Sequence, residues 1–137
     1  MASELRVNTL KDASGNNSVG MSYVAEGSAK AWYNRKQTDT VATRDSLNSS
    51  SLTDNGTGDF TQSWSSNFNN DDYAAGSMAD NTGTYVTRGP GGTFLKGESD
   101  QTTSSFRAVS CYGSDAVGNG EAVNKVTDMA IFMGDLA

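Results

Sequence analysis

The chain has 137 residues, a net charge of −6 and 35% hydrophobic residues, with 15 glycines, one proline and no histidine. This length suits one domain and is too short for two domains with separate cores. The absence of histidine excludes the Ser-His-Asp triad and His-ligated zinc or copper, and a single cysteine excludes an intrachain disulfide. The acidic balance argues against a nucleic-acid partner, because phosphates need a basic face.

The same inventory gives little support for catalysis or for a membrane. No apolar run approaches the roughly 20 residues of a membrane span, and the N-terminus lacks the basic and then apolar pattern of a secretory signal. Asp71 and Asp72 are adjacent, so on a strand their carboxylates point to opposite faces and do not form a catalytic pair. We therefore expect a protein that is no enzyme, needs no cofactor, does not insert into a membrane and has no signal peptide.

Residues 1–27 predict a short strand-turn-strand arm. Leu5–Leu10 alternates like a strand, Asp12–Asn17 is dense in turn formers, and Ser18–Ala25 alternates again. The apolar content is too small for the arm to fold alone, since an isolated hairpin is marginal in water. We expect the arm to need a partner surface, although it is also compatible with a first hairpin of the main domain. The predicted anchoring residues are Leu5, Val7, Leu10, Val19 and Met21.

Residues 28–137 predict an antiparallel β-sandwich that is jelly-roll-like. The clearest local pattern is a hairpin in which the loop Asp54–Gly58 leads into the alternating Phe60, Gln62 and Trp64. No stretch shows sustained helical periodicity with caps, and short strands at turn-to-turn spacings of roughly 8–12 residues are typical of sandwiches and barrels. Other strands are predicted at Ala29–Asn34, Thr40–Arg44, Tyr73–Ala79, Thr84–Arg88, Thr93–Lys96, Ser105–Tyr112 and Val126–Met133.

The last predicted strand is apolar on both faces, with Ala130 and Phe132 on one and Met129 and Ile131 on the other. Such a strand is central in its sheet, or it lies between a core and a subunit interface. Large apolar side chains are also few, so their burial within one chain stabilises the fold by less than the conformational entropy that a chain of this length loses on folding. We therefore expect further burial between subunits and predict a homo-oligomer.

Five segments resemble tail-fibre-type structural proteins of bacteriophages, notably those of marine bacteria. The segments are Leu5–Asn17, Ala29–Trp32, Val41–Asn48, Ser51–Thr61 and Met129–Phe132. They are similar to the N-terminal segment, the Ala-Lys-Ala-Trp strand, the Arg-x-Ser-x-Asn segment, the Asp-Asn-Gly-Thr-Gly-Asp hairpin and the final strand of that family. The resemblance implies a trimeric virion protein, made in the host cytoplasm, whose arm attaches to other virion proteins while the β-domain projects outward.

Tail fibres are usually far longer, with an extended shaft, so the short chain leaves two alternatives open. One is a head fibre, capsid decoration or cement protein that stabilises the particle. The other is a lectin-like module that binds carbohydrate without a particle.

Aromatic side chains can stack on the sugars of a host cell-surface glycan, but most of them are expected to pack in the core. Tyr85 and Tyr112 lie beside glycine-rich loops and are the candidates for receptor or glycan contact. The loops Gly89–Gly92, Gly97–Thr103 and Gly113–Gly120 are the candidates for host contact, since loops on a rigid scaffold tolerate variation.

Two acidic groups contain the oxygen ligands that Ca²⁺ prefers. They are Asp54 with Asp59, and the run Asn69–Asp72. Neither follows the spacing of an EF-hand, and Asp and Asn commonly cap their own turns, so no metal site is predicted. Cys111 is expected to face the interior as a small apolar residue.

Overall fold

The structure is a computed structural model, which describes residues 3–79, 92–111 and 122–137. The elements in chain order are β1 (Thr9–Lys11), β2 (Ser18–Gly20), α1 (Met21–Gly27), β3 (Ala29–Lys36), β4 (Ala42–Leu47), β5 (Ser49–Gly56), β6 (Asp59–Trp64), β7 (Ala74–Ala79), β8 (Gly92–Leu95), a 3-10 turn (Glu98–Asp100), β9 (Ser105–Cys111) and β10 (Asp128–Met133). All strand pairs between these elements are antiparallel. The predicted strand at Thr84–Arg88 lies outside the described residues.

The arm contains the hairpin β1–β2, so the predicted strand-turn-strand is confirmed, but its first strand covers Thr9–Lys11 and the predicted strand is wrong for residues 5–8. Asp12 organises the turn, because its carboxylate accepts hydrogen bonds from the Asn16 backbone N–H at 3.0 Å and the Asn17 side chain at 2.7 Å. Gly15 adopts a φ of +71°, which glycine allows without steric cost. The hairpin is therefore held by turn chemistry and a short ladder rather than by a core.

The second predicted strand of the arm, Ser18–Ala25, is wrong beyond Gly20, where the helix α1 begins. Met21 and Ala25 share one face of a strand, in which alternate residues point to the same side. They are also four residues apart, which is the spacing along one face of a helix, so a run this short fits both periods. Good helix formers, such as Met21, Ala25 and Glu26, then favour the helix. In the described part of the chain no helix is long and apolar enough to cross a bilayer.

Within the described residues, two four-stranded sheets form the sandwich. The first sheet has the order β4-β3-β10-β7 and the second has the order β5-β6-β9-β8. Pairing is nested, because β3 pairs with β10 near the two ends of the domain while β6 pairs with β9 further inside. The chain passes from the first sheet to the second between β4 and β5, at Asn48, whose φ is +57°. The predicted all-β antiparallel sandwich is confirmed.

The core lies between the sheets and follows the period-two alternation of the strands. The aromatic ring of Phe132 is at its centre, with ring centroids 4.7 Å from Trp64 and 4.9 Å from Phe106. The strand β10 lies between β3 and β7, as its two apolar faces predict. The buried core residues are Ala31, Tyr33, Trp64, Phe68, Tyr73, Phe106, Ala108, Ala130 and Phe132.

Candidate functional site

The predicted anchoring residues lie on an exposed arm. Leu5, Leu10 and Val19 are 79%, 41% and 38% exposed, while Val7 and Met21 are half-buried. Leu10 and Val19 are cross-strand partners in the hairpin and line a shallow hollow of about 300 Å³. The structure thus brings two of the five residues together at one spot.

The helix α1 adds an apolar group that the sequence analysis did not include among the anchors. None of its residues is buried, and Tyr23 is 76% exposed. The only sequence signal for Tyr23 was its place in the alternating run Ser18–Ala25. The arm therefore offers its apolar groups outward instead of using them to pack its own helix.

The two tyrosines predicted to contact a receptor, Tyr85 and Tyr112, lie outside the described residues, as do residues 89–91 and 113–120 of the candidate loops. The third candidate loop, Gly97–Thr103, contains the 3-10 turn. Its Gln101 side chain donates hydrogen bonds to the carbonyls of Asp71 and Tyr73, which fixes the loop to the start of β7.

Three other aromatic residues are unavailable for stacking on a sugar because they are buried in the core. Tyr33, Trp64 and Tyr73 are each at most 5% exposed. The Tyr73 hydroxyl donates to the carbonyls of Thr102 and Ser105, at 3.0 and 3.1 Å. Burial raises the pKa of Tyr73 to about 12 and raises that of Tyr33 further above its ordinary range. The expectation that most aromatic side chains pack in the core holds for these three.

The outward side of the first sheet is apolar, and we call it the apolar face. Its central members come from β3, β7 and β10, whose register places Trp32 opposite Ile131 and Met129 opposite Met78. Met78 is 70% exposed and Ile131 is 44% exposed. A shallow hollow of about 510 Å³ lies over these three strands around Gly76. The apolar face consists of Trp32, Leu47, Gly76, Met78, Met129, Ile131 and Met133.

The outward side of the second sheet is mainly polar, with Val109 and Cys111 as apolar members, and its charged groups pair with one another. Asp59 on β6 accepts two hydrogen bonds from Arg107 on β9, both at 2.9 Å, and its carboxylate also forms an ion pair with Lys96. Asp100 lies 3.9 Å from the same guanidinium. Hydrogen bonds from Arg107, and then from Lys96, hold the pKa of Asp59 well below its ordinary value of 3.8.

The other acidic residues considered for Ca²⁺ perform the turn chemistry predicted for them. Asp54 accepts a hydrogen bond from the Gly56 N–H at 2.9 Å, and Asn70 accepts one from the Asp72 N–H at 3.0 Å. Within residues 3–79, 92–111 and 122–137, no three acidic or cysteine side chains cluster in a way that holds a metal ion.

Asp59→Asn is expected to make the domain less sensitive to acid. The lowered pKa means that the Asp59 carboxylate stabilises the fold fully above pH 4, and that this contribution is lost as the pH falls towards the folded-state pKa. Because the pair is solvent-screened, we expect at most about 1 kcal/mol at pH 7. Urea unfolding at pH 7 and pH 3 checks this, and a difference between the two proteins that does not shrink at pH 3 would contradict it.

One end of the sandwich interior is polar, which the sequence analysis did not predict. Arg35 and Asp128 are fully buried, and the Arg35 Nε donates to an Asp128 carboxylate oxygen at 2.5 Å. The Arg35 guanidinium lies between the rings of Tyr33 and Phe60, 4.4 and 4.8 Å from their centroids. The sequence pattern that could have indicated a buried Arg35 is its position, because it continues the inward-facing alternation of Ala31 and Tyr33 along β3.

Gln37 links this ion pair to both sheets. Its Nε2 donates to Asp128 at 2.8 Å and to the Ser110 hydroxyl at 2.9 Å, and its carbonyl oxygen accepts from the Lys125 backbone N–H at 2.8 Å. The hydroxyls of Ser110 and Thr93 are hydrogen-bonded at 2.8 Å. This cluster closes the end of the interior, and its full burial makes it a structural element rather than a binding surface.

The prediction that Cys111 faces the interior is wrong. Phe106, Ala108 and Ser110 are the buried residues of β9, so the period-two repeat turns Cys111 outward beside Val109. It is half-buried on the outer side of the second sheet. The register of the strand, and not the apolar character of Cys111, determines which side of the sheet its side chain faces.

Two exposed apolar features of the described residues are thus the arm and the apolar face. Both consist of apolar side chains that a protein exposed only to water would be expected to cover. The chain matches no protein-family model, no curated protein and no solved structure.

Proposed function

We propose that the chain is a structural protein of a bacteriophage particle, similar to tail-fibre proteins. Its arm, residues 1–27, mounts it on other virion proteins, and its oligomeric β-domain is displayed for contact with the host surface. Weak contacts repeated over several subunits and copies supply avidity without a deep binding site. The host-contact candidates are the loops named above together with Tyr85 and Tyr112.

The exposed arm is the observation that carries this proposal. Its helix buries no residue, and its hairpin presents Leu10 and Val19 to solvent. A two-stranded hairpin with no sheet to extend is marginal in water, so a partner surface that covers these side chains would stabilise it. An arm that becomes ordered against a particle fits this pattern.

The strands that carry the resemblance also form a connected part of the domain. Ala29–Trp32 lies in β3 and Met129–Phe132 lies in β10, and the two pair directly through Ala31 with Phe132. The Asp54–Phe60 segment forms the turn between β5 and β6. Segments far apart in sequence thus belong to one framework, which supports reading them as parts of a single module.

Deleting residues 1–27 is expected to abolish incorporation into the particle while leaving the β-domain folded. The core residues all lie in or after β3, so the circular dichroism spectrum and melting midpoint of residues 28–137 should change little. Incorporation is measured by immunoblot of purified particles after complementation of a phage that lacks the gene. A truncated protein that still joins the particle would overturn the anchoring role of the arm.

A pair of point variants separates a specific anchor from mere arm length. Leu10→Asp combined with Val19→Asp removes the apolar pair of the hairpin and is expected to reduce incorporation at least tenfold. Thr9→Asp combined with Ser18→Asp adds the same charge to the same strands and is the matched control, expected to incorporate normally. Equal incorporation of the two double variants would contradict the assignment of Leu10 and Val19 as anchors.

A capsid decoration or cement protein is the second candidate, favoured by the short path from arm to domain. The helix α1 ends at Gly27 and β3 begins at Ala29, so only Ser28 separates them and no shaft lies between. This function predicts that particles lacking the protein break more readily on heating but adsorb normally. The tail-fibre function predicts the reverse, so one adsorption assay and one heat-inactivation assay distinguish them.

A further inference from the structure

The two outer sides of the sandwich differ in a way that solvent alone does not explain. An antiparallel sheet with one side in water normally places polar residues on that side. The second sheet follows this rule with Asp59, Thr61 and Arg107. The first sheet breaks it, because Leu47, Met78 and Ile131 point outward and are 46%, 70% and 44% exposed.

The area of the apolar face is enough for part of a protein interface. At about 150–200 Å² for a fully exposed large side chain, its five side chains of known exposure contribute on the order of 400 Å². That is about half of the roughly 800 Å² that each partner contributes to a standard interface. Half-buried Trp32 and the polar rim add to it, and a patch of this size on a monomer is often functional.

The charge pattern favours a second copy of the chain as the occupant. The seven residues of the apolar face carry no charge, so a second copy can cover them without burying a charged group. The rim of this side carries Lys30 and Arg44 together with Asp45, while Lys36 is ion-paired with Asp39 of the same chain at 2.9 Å. Because the rim carries both signs, a two-fold arrangement of two copies can place Asp45 of one copy opposite a basic group of the other.

We propose that the apolar face is the contact surface between copies of this chain. This deepens the proposed function, on whose oligomeric domain it rests, by naming the surface that joins the subunits. Methionine side chains suit this role, because Met78, Met129 and Met133 are flexible and adapt their packing to a neighbour. Trp32 is the large aromatic group that such an interface would use as an anchor.

Sedimentation equilibrium of the full chain tests the proposal. The wild type is expected to form an oligomer with a mass that is a multiple of 14.4 kDa. Ile131→Lys is expected to fold, because residue 131 points outward, and to raise the dissociation constant at least about 30-fold, as for an interface hot spot. Ser63→Lys is the matched control, a new lysine on the outward side of a central strand in the second sheet, and should leave the oligomer intact.

Methionine oxidation gives a second readout that needs no variant. In the oligomer, Met78 and Met129 are expected to react slowly with dilute hydrogen peroxide and to react faster once the protein is diluted into monomers. Met21 in the arm is the internal reference and should react equally at both concentrations.

Each outcome of these experiments supports the proposal or overturns it. A monomeric wild type at about 100 μM, or an Ile131→Lys variant that stays oligomeric, would overturn the assignment of the apolar face. Oxidation of Met78 that is independent of protein concentration would do the same. Because particle incorporation is measured separately with the arm variants, a failure here is distinguishable from a failure of the proposed function.

Discussion

Asp128→Asn is expected to destabilise the domain by about 3 kcal/mol, the lower end of the cost of breaking a buried ion pair. The substitution keeps the shape of the side chain but leaves the Arg35 guanidinium charged and fully buried. Among the residues that the structure describes, its Nη1 and Nη2 have no hydrogen-bond partner, and an Asp128 oxygen is the carboxylate that its Nε contacts. Stacking on Tyr33 and Phe60 compensates only in part.

The free energy of unfolding, measured by urea titration at a fixed protein concentration, checks this expectation. Asp45→Asn is the control, since it removes a carboxylate of the same sheet that is exposed. A second variant replaces both charges, Arg35→Met with Asp128→Leu, and is expected to recover much of the loss because a buried pair can be exchanged for apolar packing. A loss of less than about 1 kcal/mol in Asp128→Asn would contradict the assigned role of the pair.

Gly58→Ala is expected to destabilise the domain by about 2–4 kcal/mol, the sum of backbone strain and overpacking. The φ of Gly58 is +68°, and an added Cβ would lie 2.5 Å from the Ser110 carbonyl oxygen and 2.8 Å from the Val123 backbone. These are backbone atoms, which cannot turn aside. The same segment accepts a hydrogen bond from the Ser110 N–H at 2.7 Å and donates one to the Asn124 side chain at 2.8 Å.

Gly56→Ala is the matched control in the same hairpin. Gly56 also has a positive φ, +131°, but an added Cβ there meets no atom within 4 Å. Its cost is therefore backbone strain alone, and the difference between the two variants isolates the close approach of the segments at Gly58. Equal unfolding free energies for Gly56→Ala and Gly58→Ala would show that this approach contributes nothing.

Much of the sandwich was predictable because period-two alternation is a local property of a strand. The alternation in β6 placed Phe60 and Trp64 on the buried side, where they lie, and the alternation in β10 placed Ala130 and Phe132 on one shared side, which is the buried one. The helix α1 was missed because a run of seven residues is too short to separate the helical period from the strand period. Its exposure also means that no core packing marks one of its faces.

The buried ion pair and the apolar face depend on contacts between strands that the sequence does not show. Arg35 and Asp128 are 93 residues apart, so the alternation of β3 could indicate a buried arginine but not the carboxylate that pairs with it. The apolar face is assembled from four strands. In the sequence, only β10 indicated it, because Met129 and Ile131 make the second face of that strand apolar. Leu47 and Met78 joined it through strand order, which depends on tertiary pairing.

Mass spectrometry of particles purified through a density gradient, from a phage whose genome encodes this chain, tests the central claim most directly. We predict that the chain is found in the gradient fraction of intact particles, where peptides from residues 28–137 identify it. Its copy number per particle should be a multiple of the number of subunits in the oligomer found in solution. The account would be contradicted if the chain, although produced during infection, remained entirely in the unbound fraction of the lysate.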